Sequence, residues 1–103
     1  QLGVRPDGTT PSTIAEQADQ VFSNLIALLQ THGLDATDVI KLTTFMVTGQ
    51  DGDAVRAARL KYLGSHRPAS TAVFVSALVE PAWFVEVEAI AAKRKTVQSQ
   101  NAA

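Results

Sequence analysis

The run Trp83-Phe84-Val85-Glu86-Val87-Glu88-Ala89-Ile90 constrains the fold of this chain more than any other stretch. In an extended strand, successive side chains leave on opposite faces, so Glu86 and Glu88 share a face with Phe84 and Ile90. The other face, Trp83, Val85, Val87 and Ala89, is wholly apolar. A strand with apolar residues on both faces is expected to be covered on both sides. A covered carboxylate must be paired, hydrogen-bonded or put to use. The plainer alternative is a pair of acids on a solvated sheet edge.

The preceding sequence supplies the partners for such a strand. Pro11 reads as a first helical position and Thr13, three residues before Glu16, as a helix start. Ile14, Ala18, Phe22, Leu25 and Leu29 recur at helical spacing until Gly33, which predicts a helix over about 13–32. Asp35 to Asp38 form a turn. Val39 to Thr48 is rich in β-branched residues and predicts a strand with Ile40, Leu42 and Met46 on one face. Gly49-Gln50-Asp51-Gly52 breaks it. A second helix over about 52–64 carries Val55, Ala58 and Tyr62 inward and Arg56, Arg59 and Lys61 outward. Pro68 excludes helix at Arg67. Ser70 to Val79 is a second strand, Glu80-Pro81-Ala82 a turn, and Trp83 to Ala92 a third strand. The result is an α+β layout, a mixed sheet with two helices on one face. Three strands make a thin sheet whose second face has no cover within the chain, so self-association is expected.

At 103 residues the chain is one domain, over 1–92, followed by a polar tail over 93–103. Nine basic residues against ten acidic ones create no net field for nucleic acid, and Lys93-Arg94-Lys95 reads as part of a frayed terminus. The absence of cysteine excludes disulfides, thiol catalysis and cysteine-ligated zinc, and fits a reducing compartment. No segment approaches the roughly 18 apolar residues of a membrane span. His32 and His66 lack clustered carboxylates, so no metal site is expected. Asp51-Gly52-Asp53 reads as a helix cap. Ser70-Thr71 has no base beside it to make a nucleophile. Gln1-Leu2-Gly3-Val4 reads as the end of a strand entering the turn Arg5-Pro6-Asp7-Gly8, with an N-terminal strand expected upstream.

Six segments together resemble the Rid family. They are Gln1-Leu2-Gly3, the helix with Gln17 and Asn24, Gly33-Leu34, Asp38-Val39-Ile40-Lys41, His66-Arg67-Pro68-Ala69-Ser70-Thr71 and Val85-Glu86-Val87-Glu88-Ala89-Ile90. These are the reactive intermediate deaminases, also called the YjgF or L-PSP type, often labelled translation inhibitors or endoribonucleases. The resemblance runs from Gln1 to about Ala92. It implies a chorismate-mutase-like fold and a cytoplasmic homotrimer whose sheets form a central barrel. It also implies clefts between subunits for a small-molecule ligand, a carboxylate or an imine. There, family members hydrolyse reactive 2-imino or enamine acids to 2-oxo acids and ammonia, with no metal or organic cofactor.

The resemblance matches Glu86 to the family's acidic residue, which orients or activates water. In the active deaminases an arginine follows the Pro-Ala pair and binds the substrate carboxylate, a task suited to a planar bidentate donor. Here Ser70 follows Pro68-Ala69, and serine donates one neutral hydrogen bond. Arg67 lies three residues away, about 10 Å along a strand and on the opposite face. Arg56 is a more distant candidate. The expected site is Glu86 for water, with Ser70, Thr71 and Arg56 near the substrate. Slow hydrolysis of imines that carry an α-carboxylate follows, with a gain in Ser70→Arg. The alternative is a non-catalytic small-molecule binder or sensor on the same scaffold. RNA cleavage is not expected, since neither net charge nor a basic-aromatic surface supports it.

Overall fold

The computed structural model describes residues 1–94; most of the polar tail, with Lys95, lies outside the described residues. Helix α1, Ile14–Thr31, starts where the Thr13 hydroxyl accepts the Glu16 N–H at 3.2 Å, satisfying one of the free donors of the first turn. Pro11 is not in that turn. It lies three residues before the helix, and its carbonyl accepts from the Gln17 side chain at 2.9 Å. Ala18, Val21, Phe22, Leu25 and Leu29 form the buried stripe of the helix. Gly33, at φ 71, ends it: its N–H reaches the Gln30 carbonyl at 3.1 Å and Leu34 N–H reaches Leu29 at 3.0 Å. That paired closure needs a left-handed residue, which only glycine supplies cheaply.

A 3₁₀ turn, Ala36–Asp38, leads into strand β1, Val39–Val47. Helix α2, Gly52–Leu63, begins at Asp51, whose carboxylate accepts the Asp53 N–H at 2.9 Å, and ends at Gly64. Strands β2, Ala69–Val75, and β3, Val85–Ala91, complete a sheet of order β2-β1-β3. β1 and β2 run parallel, the arrangement that the α2 crossover permits, and β3 is antiparallel to β1. β2 stops at Val75, short of the expected Val79. β3 starts at Val85 because the Phe84 N–H is taken by the Gln17 side chain at 2.8 Å.

The register assigns every strand residue to a face. Leu42, Thr44 and Met46 are buried toward the helices. Beside them in register are Ser70, Ala72 and Phe74 on β2, and Ala89, Val87 and Val85 on β3. The open face carries Lys41, Thr43, Phe45 and Val47, then Thr71, Val73 and Val75, then Glu86, Glu88 and Ile90. Ile40 departs from the expected core face. A register shift between Val39 and Lys41 puts Val39 in the core at 0% exposure and leaves Ile40 55% exposed. On α2, Val55 and Ala58 are buried and Tyr62 packs inward as expected, its ring stacked on Phe22 at 6.4 Å between centroids; Leu63 is buried as well.

The core joins α1, α2, β1 and β3, and no β2 residue belongs to it. Each fully buried Val, Leu or Phe contributes about 1.5–3 kcal/mol. The N-terminal residues close against β3: Leu2 bridges Glu86, and Val87 N–H donates to the Gln1 carbonyl at 2.9 Å. The Asn24 side-chain amide donates to the Leu2 and Val4 carbonyls at 2.9 and 2.8 Å. Gly3 passes so close to α1 that a Cβ there would sit 2.5 Å from the Gln17 carbonyl oxygen. No described helix is long and apolar enough to cross a membrane.

Candidate functional site

The residues expected at the site separate into two groups. Ser70 faces the helix side of β2, paired with Leu42, and Arg56 stands above that side on α2. Glu86 and Thr71 face the other way. β1 also lies between β2 and β3, which sets their strand axes about 9–10 Å apart. One copy of the chain therefore cannot bring Ser70 and Glu86 onto a single ligand. The sequence alone could not show this, because the relative facing of two strands depends on the register each makes with a third.

Glu86 is half-buried on the open face, with Phe45 opposite it on β1 and the Leu2 bridge on its outer edge. Glu88, opposite Thr43, is exposed. The Thr71 hydroxyl accepts a 2.6 Å hydrogen bond from Lys41 Nζ across that face, so Thr71 is engaged on the side away from Ser70. The open face thus combines a carboxylate, an ammonium and the apolar surfaces of Phe45, Val73 and Ile90.

The helix side holds a cavity of about 240 Å³ where α2 leaves β2 uncovered. Its floor is Phe22, Thr44, Met46 and Val55; Ala72 of β2 closes one wall, and Arg56 and Arg59 of α2 stand on the other. Ser70 lies two residues from Ala72 on the same face, about 7 Å along the strand. The sequence places both Arg56 and Arg59 outward; Arg56 is exposed and Arg59 half-buried, and both border the cavity rim. Their spacing of three was the available signal for Arg59 at the site, because i and i+3 are neighbours on a helix. Thr44, only 4% exposed, was also missed, since a threonine amid apolar strand residues gives no pattern of its own.

Other candidates have structural work. Arg67 donates to the Gly64 and His66 carbonyls just beyond α2, which occupies it away from the cavity. His66 Nε2 donates to the Val39 carbonyl at 2.7 Å, holding the connector against the β1 irregularity. His32 Nδ1 donates to the Leu28 carbonyl at 3.0 Å near the end of α1. Gln17 and Asn24 clamp backbone carbonyls and one N–H. Among the described residues no group of three or more His, Cys, Asp or Glu is gathered for a metal.

The family described as endoribonuclease L-PSP matches residues 1–93. A RutC family protein of Pyrococcus horikoshii is 36% identical over 80 residues, which are 78% of this chain and 63% of that protein. The 2-iminobutanoate/2-iminopropanoate deaminase of Capra hircus is 36% identical over 93 residues, 88% of this chain and 67% of that one. The chain thus spans somewhat under two thirds of the first of these relatives and about two thirds of the second. The crystal structure of the YjgF gene product of Escherichia coli superposes with a TM-score of 0.83 at 33% identity, covering 91% of this chain and 76% of that one. Both helices and the mixed sheet correspond to that structure.

Proposed function

Because the chain belongs to the endoribonuclease L-PSP family, the Rid or YjgF proteins, we propose that it hydrolyses reactive imines or enamines to 2-oxo compounds and ammonia. The cleft for this lies between copies of the chain. What carries the reading is Glu86, a half-buried carboxylate on an uncovered sheet face at the family's acidic position, in a chain whose relatives bear a deaminase name. The opposed facing of Ser70 and Glu86 supports the intersubunit placement, since Glu86 of one copy can meet the helix-side cavity only of another. A homotrimer with the sheets facing inward as a barrel would also cover Phe45, Val73 and Ile90.

In this reading Glu86 holds a water against C2 of the imine. The water oxygen adds to the C=N carbon while its proton passes to the carboxylate, and Glu86 returns that proton to nitrogen. The hydroxyl proton of the tetrahedral adduct then passes to the amino group as the C–N bond breaks, so nitrogen leaves as ammonia with the bonding pair and the C–O bond becomes the 2-oxo carbonyl. One imine and one water give one oxo compound and one ammonia. No metal or organic cofactor takes part. General acid–base participation of this kind contributes about 10²–10⁴-fold. The test is ammonia release from imines formed in situ by an amino-acid oxidase. Wild-type turnover above the free hydrolysis rate, lost at least about 100-fold in Glu86→Gln, is expected.

The replacement of the strand arginine by Ser70 favours a second reading, a trimer that binds or senses a small molecule without turnover. Ammonia release no faster than free hydrolysis, with saturable ligand binding, would select it.

A further inference from the structure

We infer that Arg56 and Arg59 hold the ligand's carboxylate from the α2 wall of the cavity, in place of a cation at Ser70. The inference rests on the small-molecule cleft proposed above and names the side chains that meet the ligand's charge there.

Four observations carry it. The two arginines stand one turn apart and border the same cavity, a spacing that puts their Cβ atoms about 5–6 Å apart. Two cations so placed repel each other unless an anion lies between them. No acidic side chain lines the cavity. The ion pairs among the described residues use Arg5, Lys61 and Lys93, and Asp53, though three residues before Arg56, makes none with it.

The lining suits a carboxylate joined to an apolar group. The groove offers about 240 Å³ in one copy and is open to solvent on one side. Phe22, Met46 and Val55 offer an apolar floor for a short alkyl chain, and the Thr44 side chain adds a polar group beside it. Ser70 and Ala72 keep the β2 wall low. An arginine at position 70 would project from β2 onto the same side of the sheet, so this chain carries its cations on the helix wall of the same groove instead of the strand wall.

Calorimetric titration of the wild-type chain with 2-oxobutanoate and with the uncharged 2-oxobutanamide tests this, alongside Arg56→Gln, Arg59→Gln, the double variant, and the double variant carrying Ser70→Arg. Glutamine preserves helix propensity, and circular dichroism checks that each variant folds. The acid should bind at least about tenfold more tightly than the amide. Each single variant should weaken the acid roughly tenfold, leaving the amide unchanged. Ser70→Arg should restore at least about tenfold to the double variant by returning a cation from the strand wall. No binding of the acid at millimolar concentration, equal binding of acid and amide, or single variants within twofold of wild type would overturn the inference. Selective acid binding without any ammonia release would retain it and remove the deaminase reading. Ammonia release with unaffected arginine variants would do the reverse.

Discussion

Gln17→Leu should destabilise the chain more than any surface change of similar size. Gln17 is 1% exposed. Its amide donates to the Pro11 carbonyl at 2.9 Å and the Ala82 carbonyl at 2.8 Å, and accepts the Phe84 N–H at 2.8 Å. The segment before α1 and the Ala82–Phe84 segment before β3 therefore meet at one side chain, and no enclosed side-chain polar atom among the described residues lacks a partner. Leucine nearly matches glutamine in volume, so the cavity contribution is small and the lost hydrogen bonds dominate. Leaving three backbone groups short of partners costs about 1–3 kcal/mol each, offset by roughly 1 kcal/mol of added apolar burial. The net loss is about 2–8 kcal/mol, a large share of the 5–15 kcal/mol typical of a domain. With a urea m-value of about 1.5 kcal/mol/M, the unfolding midpoint should fall by about 1–5 M. The protein concentration must be held constant, since assembly would add to apparent stability. A midpoint within about 0.5 M of wild type would show that the three contacts are not jointly required. Gln17→Glu sharpens the test. A carboxylate facing two carbonyls should have a raised folded pKa, so that variant should lose stability relative to wild type as pH rises above about 4.3.

Light scattering at micromolar concentration should give a trimer, and Phe45→Glu or Val73→Glu on the open face should shift it toward monomer; a stable wild-type monomer would refute the argument from the uncovered face. Single-stranded RNA incubated with purified protein at low salt should remain intact, and cleavage that survives purification but is lost in Glu86→Ala would contradict this. The Lys61 hydrogen bond to Asp19 at 2.6 Å lowers the Asp19 pKa below its ordinary 3.8 and raises that of Lys61 above 10.5. The Thr9 and Thr37 hydroxyls lower Asp7 and Asp35 in the same way. For the three carboxylates, the stabilisation is complete above about pH 4 and lost as pH falls through their lowered values; for Lys61, it is complete below about pH 10 and lost above its raised value. Thermal melts should therefore be level from about pH 5 to 9 and fall below about pH 4, and a melting temperature unchanged down to pH 2.5 would refute the assignment.

Much of the architecture follows from local chemistry and is legible in the sequence alone. Thr13 before Glu16, Gly33 after Leu29, and Gly64 after the α2 pattern bound the helices, because capping and left-handed closure involve residues within one turn of each other. The alternation of Val85, Glu86, Val87 and Glu88 placed the two carboxylates on one face and the valines on the other. The resemblance carried by the Arg67–Thr71 and Val85–Ile90 segments identified the family. Pairing between distant segments decided the rest. Ile40 left the core because the β1–β3 register shifts beside it. Gln17 became a clamp because Pro11, Ala82 and Phe84 converge on it. Ser70 and Glu86 came to oppose each other because each takes its facing from β1, one in a parallel ladder and one in an antiparallel ladder. Arg59 joined Arg56 over a cavity because α2 leaves β2 uncovered. Periodicity states which residues of one element share a face; which face of another element they meet is set by long-range packing, which no single segment encodes.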